Sequence, residues 1–382
     1  MYASRMSNLP PYLFARIDAM KAEQRKKGVD LIDLGVGDPD LATPPHIVDS
    51  LIAAAKDSKN HHYPDYAGMP AYRNAVAGWY RKRFGVTLDA DKEVVALMGS
   101  KDGIAHIGEA FVNPGDYVLA PSPGYPVYRT GTLFAEGKVH DLPLLRENSF
   151  LPVLSDIPKN VAKAAKILYI NYPNNPTGAI APAGFYKEVV DFARDNDIVV
   201  VSDNAYSEVS FDGYKAPSFL ETPGAMEVGI EMHSLSKTYN MTGWRIGMAV
   251  GNADVIAGLG RVKTNVDSGV FDAVQHAAIT ALSGPQDCVK EACTIYQERR
   301  NVLCEGLQDL GFDVPVPKAT FYVWVPVKDC MEFSGRLLTE AGIVATPGVG
   351  FGASGDGYVR FAITRPVARI REAIERMRKM QL

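Results

Sequence analysis

Apolar residues recur along this chain with two different periods. From Pro70 onward, Tyr72, Val76, Trp79, Tyr80 and Phe84 fall at helical spacing, so a helix opening at Pro70 is predicted with that stripe turned inward. Thr43-Pro44 reads as a helix N-cap followed by proline at the first helical position, with Ile47, Leu51 and Ala54 on one face after it. Short strands are expected at 94–97, 117–120, 166–172 and 197–203. Ile198 to Val201 are apolar without interruption, as in a strand covered on both faces. Helices are expected from Gly99-Ser100 through Phe111 and over 182–196. Strands that alternate with helices imply an α/β fold with a mostly parallel sheet covered by helices.

After about Gly284 the pattern changes. A long helix is predicted over 286–310, a half-buried strand over 321–325, another strand over 358–363, and a terminal helix over 366–380. This is the signature of a smaller α+β domain. The expected division is a large domain over 42–284 and a small one built from 1–41 and 285–382. A chain of 382 residues with 47% hydrophobic content is long enough for two such cores.

Charge and cysteine content narrow the partners. The formal net charge is −4, which gives no reason to expect a nucleic acid. Cys288, Cys293, Cys304 and Cys330 form no CxxC pair and no metal-ligand spacing, so they read as reduced thiols of a cytosolic protein without a metal site. The N-terminal residues lack the apolar core of a signal peptide, and no apolar run reaches the roughly 18 residues of a membrane span. The expectation is a soluble, cytoplasmic protein.

The chemistry concentrates in five segments. In Ser234-Leu235-Ser236-Lys237, followed by Arg245, a lysine stands beside hydroxyls and a guanidinium. Burial and nearby cations can make such a lysine neutral enough for covalent chemistry, while Ser234, Ser236 and Arg245 are donors suited to a phosphate. Tyr172 to Gly178 follows a predicted strand, where ligands of open α/β sheets bind. There Asn175 would point at a cofactor, and a cis Asn175-Pro176 bond would aim it. Asp203-Asn204-Ala205-Tyr206 ends the next strand, and a carboxylate there can keep a pyridine nitrogen protonated. The amides of Ser100 and Lys101 can cradle phosphate at a helix N-terminus. Arg360, in a predicted strand, can grip a carboxylate with two hydrogen bonds. Each segment alone also has an ordinary reading, as a surface lysine, a turn, an N-cap aspartate or a solvated arginine.

Together the five segments resemble the fold-type I, class I/II aminotransferases, from Pro10 to the final helix. The resemblance implies pyridoxal 5'-phosphate held as a Schiff base on Lys237, with its phosphate on Arg245. It implies that Asp203 pairs with the pyridine nitrogen, that Tyr206 and Asn175 contact the ring oxygen, and that Tyr125 stacks on the ring. It implies that Arg360 takes the substrate α-carboxylate and that Tyr63 reaches the phosphate of a neighbouring subunit, hence a homodimer with shared active sites.

Leu34 to Asp40, Asn171 to Gly178, His233 to Gly247 and Asn265 to Phe271 resemble more narrowly the LL-diaminopimelate aminotransferases. That resemblance implies transfer of an amino group between LL-diaminopimelate and 2-oxoglutarate, a step of lysine synthesis, with Gly37, Asn175, Arg360 and Asn265 as substrate contacts. Plant-type members carry an acidic residue three positions after the neighbour-reaching tyrosine. Here Tyr66 stands there with Asp65 beside it, so Asp65 or Asn265 is expected to meet the distal end of the substrate. The competing expectations are an aminotransferase for aspartate, alanine or an aromatic amino acid, and a carbon–sulfur lyase on the same cofactor site. A DNA-binding regulator with an aminotransferase-like domain is disfavoured by the acidic balance.

Overall fold

The computed structural model describes residues 2–7, 9 and 13–380. Its centre is a seven-stranded sheet: β1 (Val94–Leu97), β2 (Tyr117–Ser122), β3 (Lys138–Pro143), β4 (Ala165–Ile170), β5 (Val199–Asp203), β6 (Gly229–Ser234) and β7 (Gly247–Gly251). The spatial order is β1-β7-β6-β5-β4-β2-β3, with β7 antiparallel to both its neighbours and every other pair parallel. Because β7 alone runs backwards, β1, β2, β4, β5 and β6 all end at the same edge. Side chains alternate between two apolar layers. Leu119, Leu168, Val200 and Met248 pack into one, while Val118, Ile167, Val201 and Ala249 pack into the other. Two covered faces explain why the central strands are apolar without interruption.

The predicted elements appear with small shifts. The helices run over Pro70–Phe84, Ser100–Phe111 and Ala183–Asn196, and the stripe from Tyr72 to Phe84 is buried. At the start of the chain the reading is corrected by one residue. Pro44 is the N-cap and Pro45 opens the helix Pro45–Ala55, while the Thr43 hydroxyl donates to the Asn240 carbonyl at 2.7 Å. Strands β3, β6 and β7 and the helices Pro126–Phe134, Ala253–Val266, Asp272–Ser283 and Cys330–Glu340 were not anticipated.

A third apolar cluster surrounds a three-stranded antiparallel sheet, Thr346–Pro347, Tyr358–Ala362 and Tyr322–Pro326. It is flanked by the long helix Asp287–Asp309 and by Val367–Arg378. Near the other end of the chain Ile32–Asp33 pairs in parallel with Ile343–Val344. The strand at 322–326 is buried on both faces rather than one. Val323 and Val325 enter the apolar cluster, while Trp324 on the opposite face stacks on Tyr358 with ring centroids 5.1 Å apart.

The stretch from Gly35 to Asp40 is tied down at both ends. The Thr346 hydroxyl donates to the Gly35 carbonyl and the Thr364 hydroxyl to the Val36 carbonyl, each at 2.9 Å. At the far end Arg299, buried on the long helix, grips both Asp40 oxygens at 2.6 and 3.0 Å. Replacing Asp40 with Ala strands that guanidinium. Water reaches the partly exposed Asp40 position, so the expected loss is about 2–3 kcal/mol, at the lower end for a broken buried pair. Urea unfolding of Asp40→Ala against wild type measures it, and an unchanged midpoint would show that the pair carries no net stability.

Candidate active site

A cavity of about 400 Å³ opens where the strands of the large sheet end. Its wall includes Gly37, Ser100, Lys101, Tyr125, Asn175, Asp203, Tyr206, Ser234, Ser236, Lys237, Arg245 and Arg360, so twelve of the fifteen residues singled out from the sequence meet in one place. The topology accounts for this. Asp203 is the last residue of β5 and Ser234 the last of β6, while Ser100 follows β1, Tyr125 follows β2 and Asn175 follows β4. Convergence beyond the carboxyl ends of strands is the usual ligand position in open α/β sheets.

One end of the cavity is built from donors. Ser234 caps the short turn that carries Lys237, its hydroxyl accepting from the Ser236 amide at 3.2 Å. Ser100 and Lys101 open a twelve-residue helix whose N-cap is Gly99. Gly99 has φ +77°, and a Cβ there would lie 2.5 Å from Arg245 Nη2, so only glycine lets the guanidinium approach. Arg245 donates from Nη1 to the Thr242 carbonyl at 2.8 Å and from Nη2 to the Met98 carbonyl at 3.1 Å. Free helix-terminal amides, two serine hydroxyls and an arginine form the donor set that a phosphate dianion requires.

Asp203 lies on the same cavity wall. Tyr128 donates to its Oδ2 at 2.7 Å, while Oδ1 is buried without a hydrogen-bond partner. Burial raises the carboxyl to about 6 against the Tyr128 hydrogen bond, which lowers it. An orphaned carboxylate oxygen in such surroundings is matched by a protonated ring nitrogen, whose positive charge would restore the ionised form. The Tyr206 hydroxyl lies 2.9 Å from that of Tyr322. The residues present therefore fit a cofactor with a phosphate at one end and a pyridine nitrogen at the other.

Lys237 donates from Nζ to the Gly37 carbonyl at 2.8 Å. Burial lowers its pKa, aided by the positive charges of Arg360 and Arg245 and opposed by Tyr322 and Asp38. Arg360 is buried. It donates from Nη1 to Asn175 Oδ1 and from Nη2 to the Gly35 carbonyl, both at 2.7 Å, and its Nε is buried without a partner. The rings of Tyr322 and Phe351 lie 4.1 and 4.6 Å from its guanidinium carbon. Packing favours glycine at position 37, because a Cβ there would fall 2.1 Å from the Tyr322 hydroxyl. The Asn175-Pro176 bond is cis.

Three expected residues are elsewhere. Tyr63 is 89% exposed and does not line the cavity. Asn265 is exposed near the end of the helix Ala253–Val266, its amide donating to the Arg261 carbonyl at 2.8 Å. Asp65 also lies away, on a separate surface depression, accepting from the Ala67 amide. Within one chain neither Asp65 nor Asn265 is brought to the substrate. Among the described residues the acids on the cavity wall are Asp203 and Asp38. Tyr322, Tyr128 and Asp38 are functional candidates that sequence reasoning missed. The one available signal was the alternation of aromatic and apolar residues at 321–325, which reads equally well as core.

A model of the family described as Aminotransferase class I and II matches residues 29–377. The chain belongs to this family. A relative from Syntrophobacter fumaroxidans named LL-diaminopimelate aminotransferase is 58% identical over 99% of this chain and 98% of its own length. One of the same name from Aquifex aeolicus is 53% identical over 100% and 99%. Among solved structures, apo-BacF from Bacillus subtilis superposes with a TM-score of 0.96 at 37% identity, covering 100% of this chain and 98% of that one. A double mutant of Thermus thermophilus aspartate aminotransferase superposes with a TM-score of 0.92 at 30% identity, covering 99% and 98%. The fold-type I architecture expected from the sequence is thus the architecture of this chain. No described helix is long and apolar enough to cross a membrane, and no cluster of metal-ligating side chains occurs among the described residues.

The Asp203 environment generates a pH-dependent prediction for the protein without cofactor. Its folded pKa of about 6 lies above the ordinary 3.8. The folded state therefore holds this proton more tightly, and the contribution is fully present below pH about 4 and lost as pH rises through about 6. The difference corresponds to about 3 kcal/mol. Asp203→Asn should gain thermal stability relative to wild type between pH 4 and 6, with the gap level above that. Melting curves of the two cofactor-free proteins across this range check it; a gap independent of pH would show that Asp203 is not held protonated.

Proposed function

We propose that this enzyme is a pyridoxal-phosphate-dependent aminotransferase that exchanges an amino group between LL-diaminopimelate and 2-oxoglutarate. The observation that carries the substrate assignment is full-length identity of 58% and 53% to relatives bearing that name. The cavity geometry supports the reaction class. Ser100, Ser234, Ser236 and Arg245 would hold the phosphate, Asp203 would pair with the ring nitrogen, Asn175 and Tyr206 would contact the ring oxygen, and Tyr125 would stack on the ring. Arg360, with its unpartnered Nε, binds the α-carboxylate of the amino or oxo acid. The bound cofactor supplies a ring that takes up the electron pair released at the substrate α-carbon.

Lys237 has two tasks in this reading. It would carry the cofactor between turnovers, and once freed its lowered pKa would leave a neutral amine able to take up the proton of the substrate α-carbon. Asp203, once ionised opposite the ring nitrogen, holds that nitrogen's proton. Tyr206 and Asn175 orient the ring, and the 34–40 stretch, which accepts from Lys237 and Arg360, limits water at the reacting centre. Reversal with a second oxo acid completes the exchange. We also read Tyr63 as a contact to a second copy, which makes the working form a homodimer with shared sites. A cytoplasmic location and the division into domains over 42–284 and over 1–41 with 285–382 belong to the same reading.

The runner-up is an aminotransferase for another amino acid, favoured by the aspartate aminotransferase at 30% identity and TM-score 0.92. A half-reaction separates the two. Holoenzyme without any oxo acid is mixed with single amino acids, and the long-wavelength absorbance of the lysine-bound cofactor is followed. LL-diaminopimelate and glutamate should discharge it, and aspartate and tyrosine should leave it. The opposite pattern would keep the aminotransferase and remove the diaminopimelate assignment. A second test is Lys237→Ala, which should lower turnover at least about a hundredfold, as expected for loss of an acid–base group. A variant keeping about a tenth of wild-type turnover would remove the proton-transfer role of Lys237.

A further inference from the structure

Outside the cavity lies a cluster of charges that the reaction does not use. Lys263 is 1% exposed, on the helix Ala253–Val266. Its Nζ donates to Asp102 Oδ2 at 2.6 Å and to Asp267 Oδ2 at 2.7 Å. Asp102 is the third residue of the helix whose first residue is Ser100. Its carboxylate also accepts from His106 Nδ1 at 2.9 Å and from the Met98 amide at 3.0 Å. Asp267 is held in turn by the Gly269 amide, 2.7 Å from its Oδ1.

A fully buried ammonium is costly unless its partners are fixed, and here both are. Asp102 is the acceptor that closes the loop Met98-Gly99-Ser100 from its amide side. Arg245 closes the same loop from the other side through the Met98 carbonyl. Met98 is thus held between the arginine of the phosphate end and a carboxylate that Lys263 and His106 both grip. His106 and Lys263 together keep Asp102 ionised despite its burial, down to about 2, so the brace persists across the working pH range.

We propose that Lys263, acting through Asp102, is a positioning residue that sets the Met98–Ser100 loop at the phosphate-binding end of the active site. The ammonium never touches the phosphate. Its pull on Asp102 fixes the Met98 amide, and with it the direction of the helix-terminal amides and the reach of Arg245. The inference rests on the pyridoxal phosphate reading above. Loss of the brace should therefore weaken recognition of the phosphate and leave recognition of the ring untouched.

The test compares the affinity of cofactor-free protein for pyridoxal phosphate and for pyridoxal, which lacks the phosphate, by absorbance titration. Wild type should prefer pyridoxal phosphate strongly. If it binds neither, the cofactor reading fails before the brace is in question. Lys263→Met should reduce the preference about tenfold, roughly one charge-assisted hydrogen bond, while pyridoxal affinity stays within about twofold of wild type. Asp102→Asn, which keeps the shape and leaves Lys263 with Asp267, should reduce it in the same direction and serves if Lys263→Met does not fold. Lys263→Arg should restore part of the preference. An unchanged preference in the folded variants, or a parallel loss for both ligands, would overturn the proposal.

Discussion

The site depends on one buried carboxylate. Asp203 ends a strand covered on both faces, with one oxygen tied to Tyr128 and the other turned to the cavity without a partner. Burial makes its charged form unfavourable, and the opposing effects of Tyr128 and the Ala205 backbone do not offset that. The fold keeps the group because every route around it is rigid. Tyr128 itself is stacked on Tyr169 of β4 at 4.7 Å, and the Asn171 amide grips the Asp203 carbonyl at 2.7 Å. A carboxylate held this firmly and this poorly solvated is ready for a cation and gains little from water. That preorganisation is what an electron-accepting ring needs opposite its nitrogen.

The same rigidity explains which parts of the molecule were legible in the sequence. Where a segment carries both chemistry and a turn, as from Ser234 to Arg245 and from Tyr172 to Gly178, residue type and spacing point to one use, and Asn175, Ser234, Ser236, Lys237 and Arg245 all line the cavity. Strands with a polar burden were hidden. β6 carries Glu231 and His233 in a fully buried position, and Glu231 is accommodated only because Tyr80, Ser202, Ser218 and the Phe219 amide all donate to it. No local pattern announces four partners drawn from three distant segments. β7, bounded by glycines, and β3, polar along an edge, lack the alternation that marks a strand.

Long-range pairings were equally silent. Tyr322 reaches Tyr206 and Arg360 from a strand more than a hundred residues past Tyr206, and Lys263 reaches Asp102 across 161 positions. Read locally, Tyr322 is one more aromatic in an apolar run and Lys263 one more lysine on a helix. Asn265, two residues further on, was singled out because it opens the resembling segment 265–271. In the folded chain it faces solvent, and the lysine is the buried group. Burial of a charge is the discriminating fact, and it is a property of tertiary structure.

Charge at the cavity runs against charge in the chain. The whole sequence carries a formal −4, whereas the cavity wall holds Lys101, Lys237, Arg245 and Arg360 against Asp38 and Asp203. An excess of cations in a recess screened by protein attracts anions, and the charges of Arg360 and Arg245 add to the burial that lowers the pKa of Lys237. A phosphate at Arg245 and a carboxylate at Arg360 would each offset part of that charge. Filling the two ends of the cavity would therefore raise the lysine's affinity for its proton, while leaving the cavity empty keeps the amine closer to neutral. Burial, the larger cause of the lowered pKa, is not relieved by either anion, so the amine freed during turnover remains able to accept the α-proton.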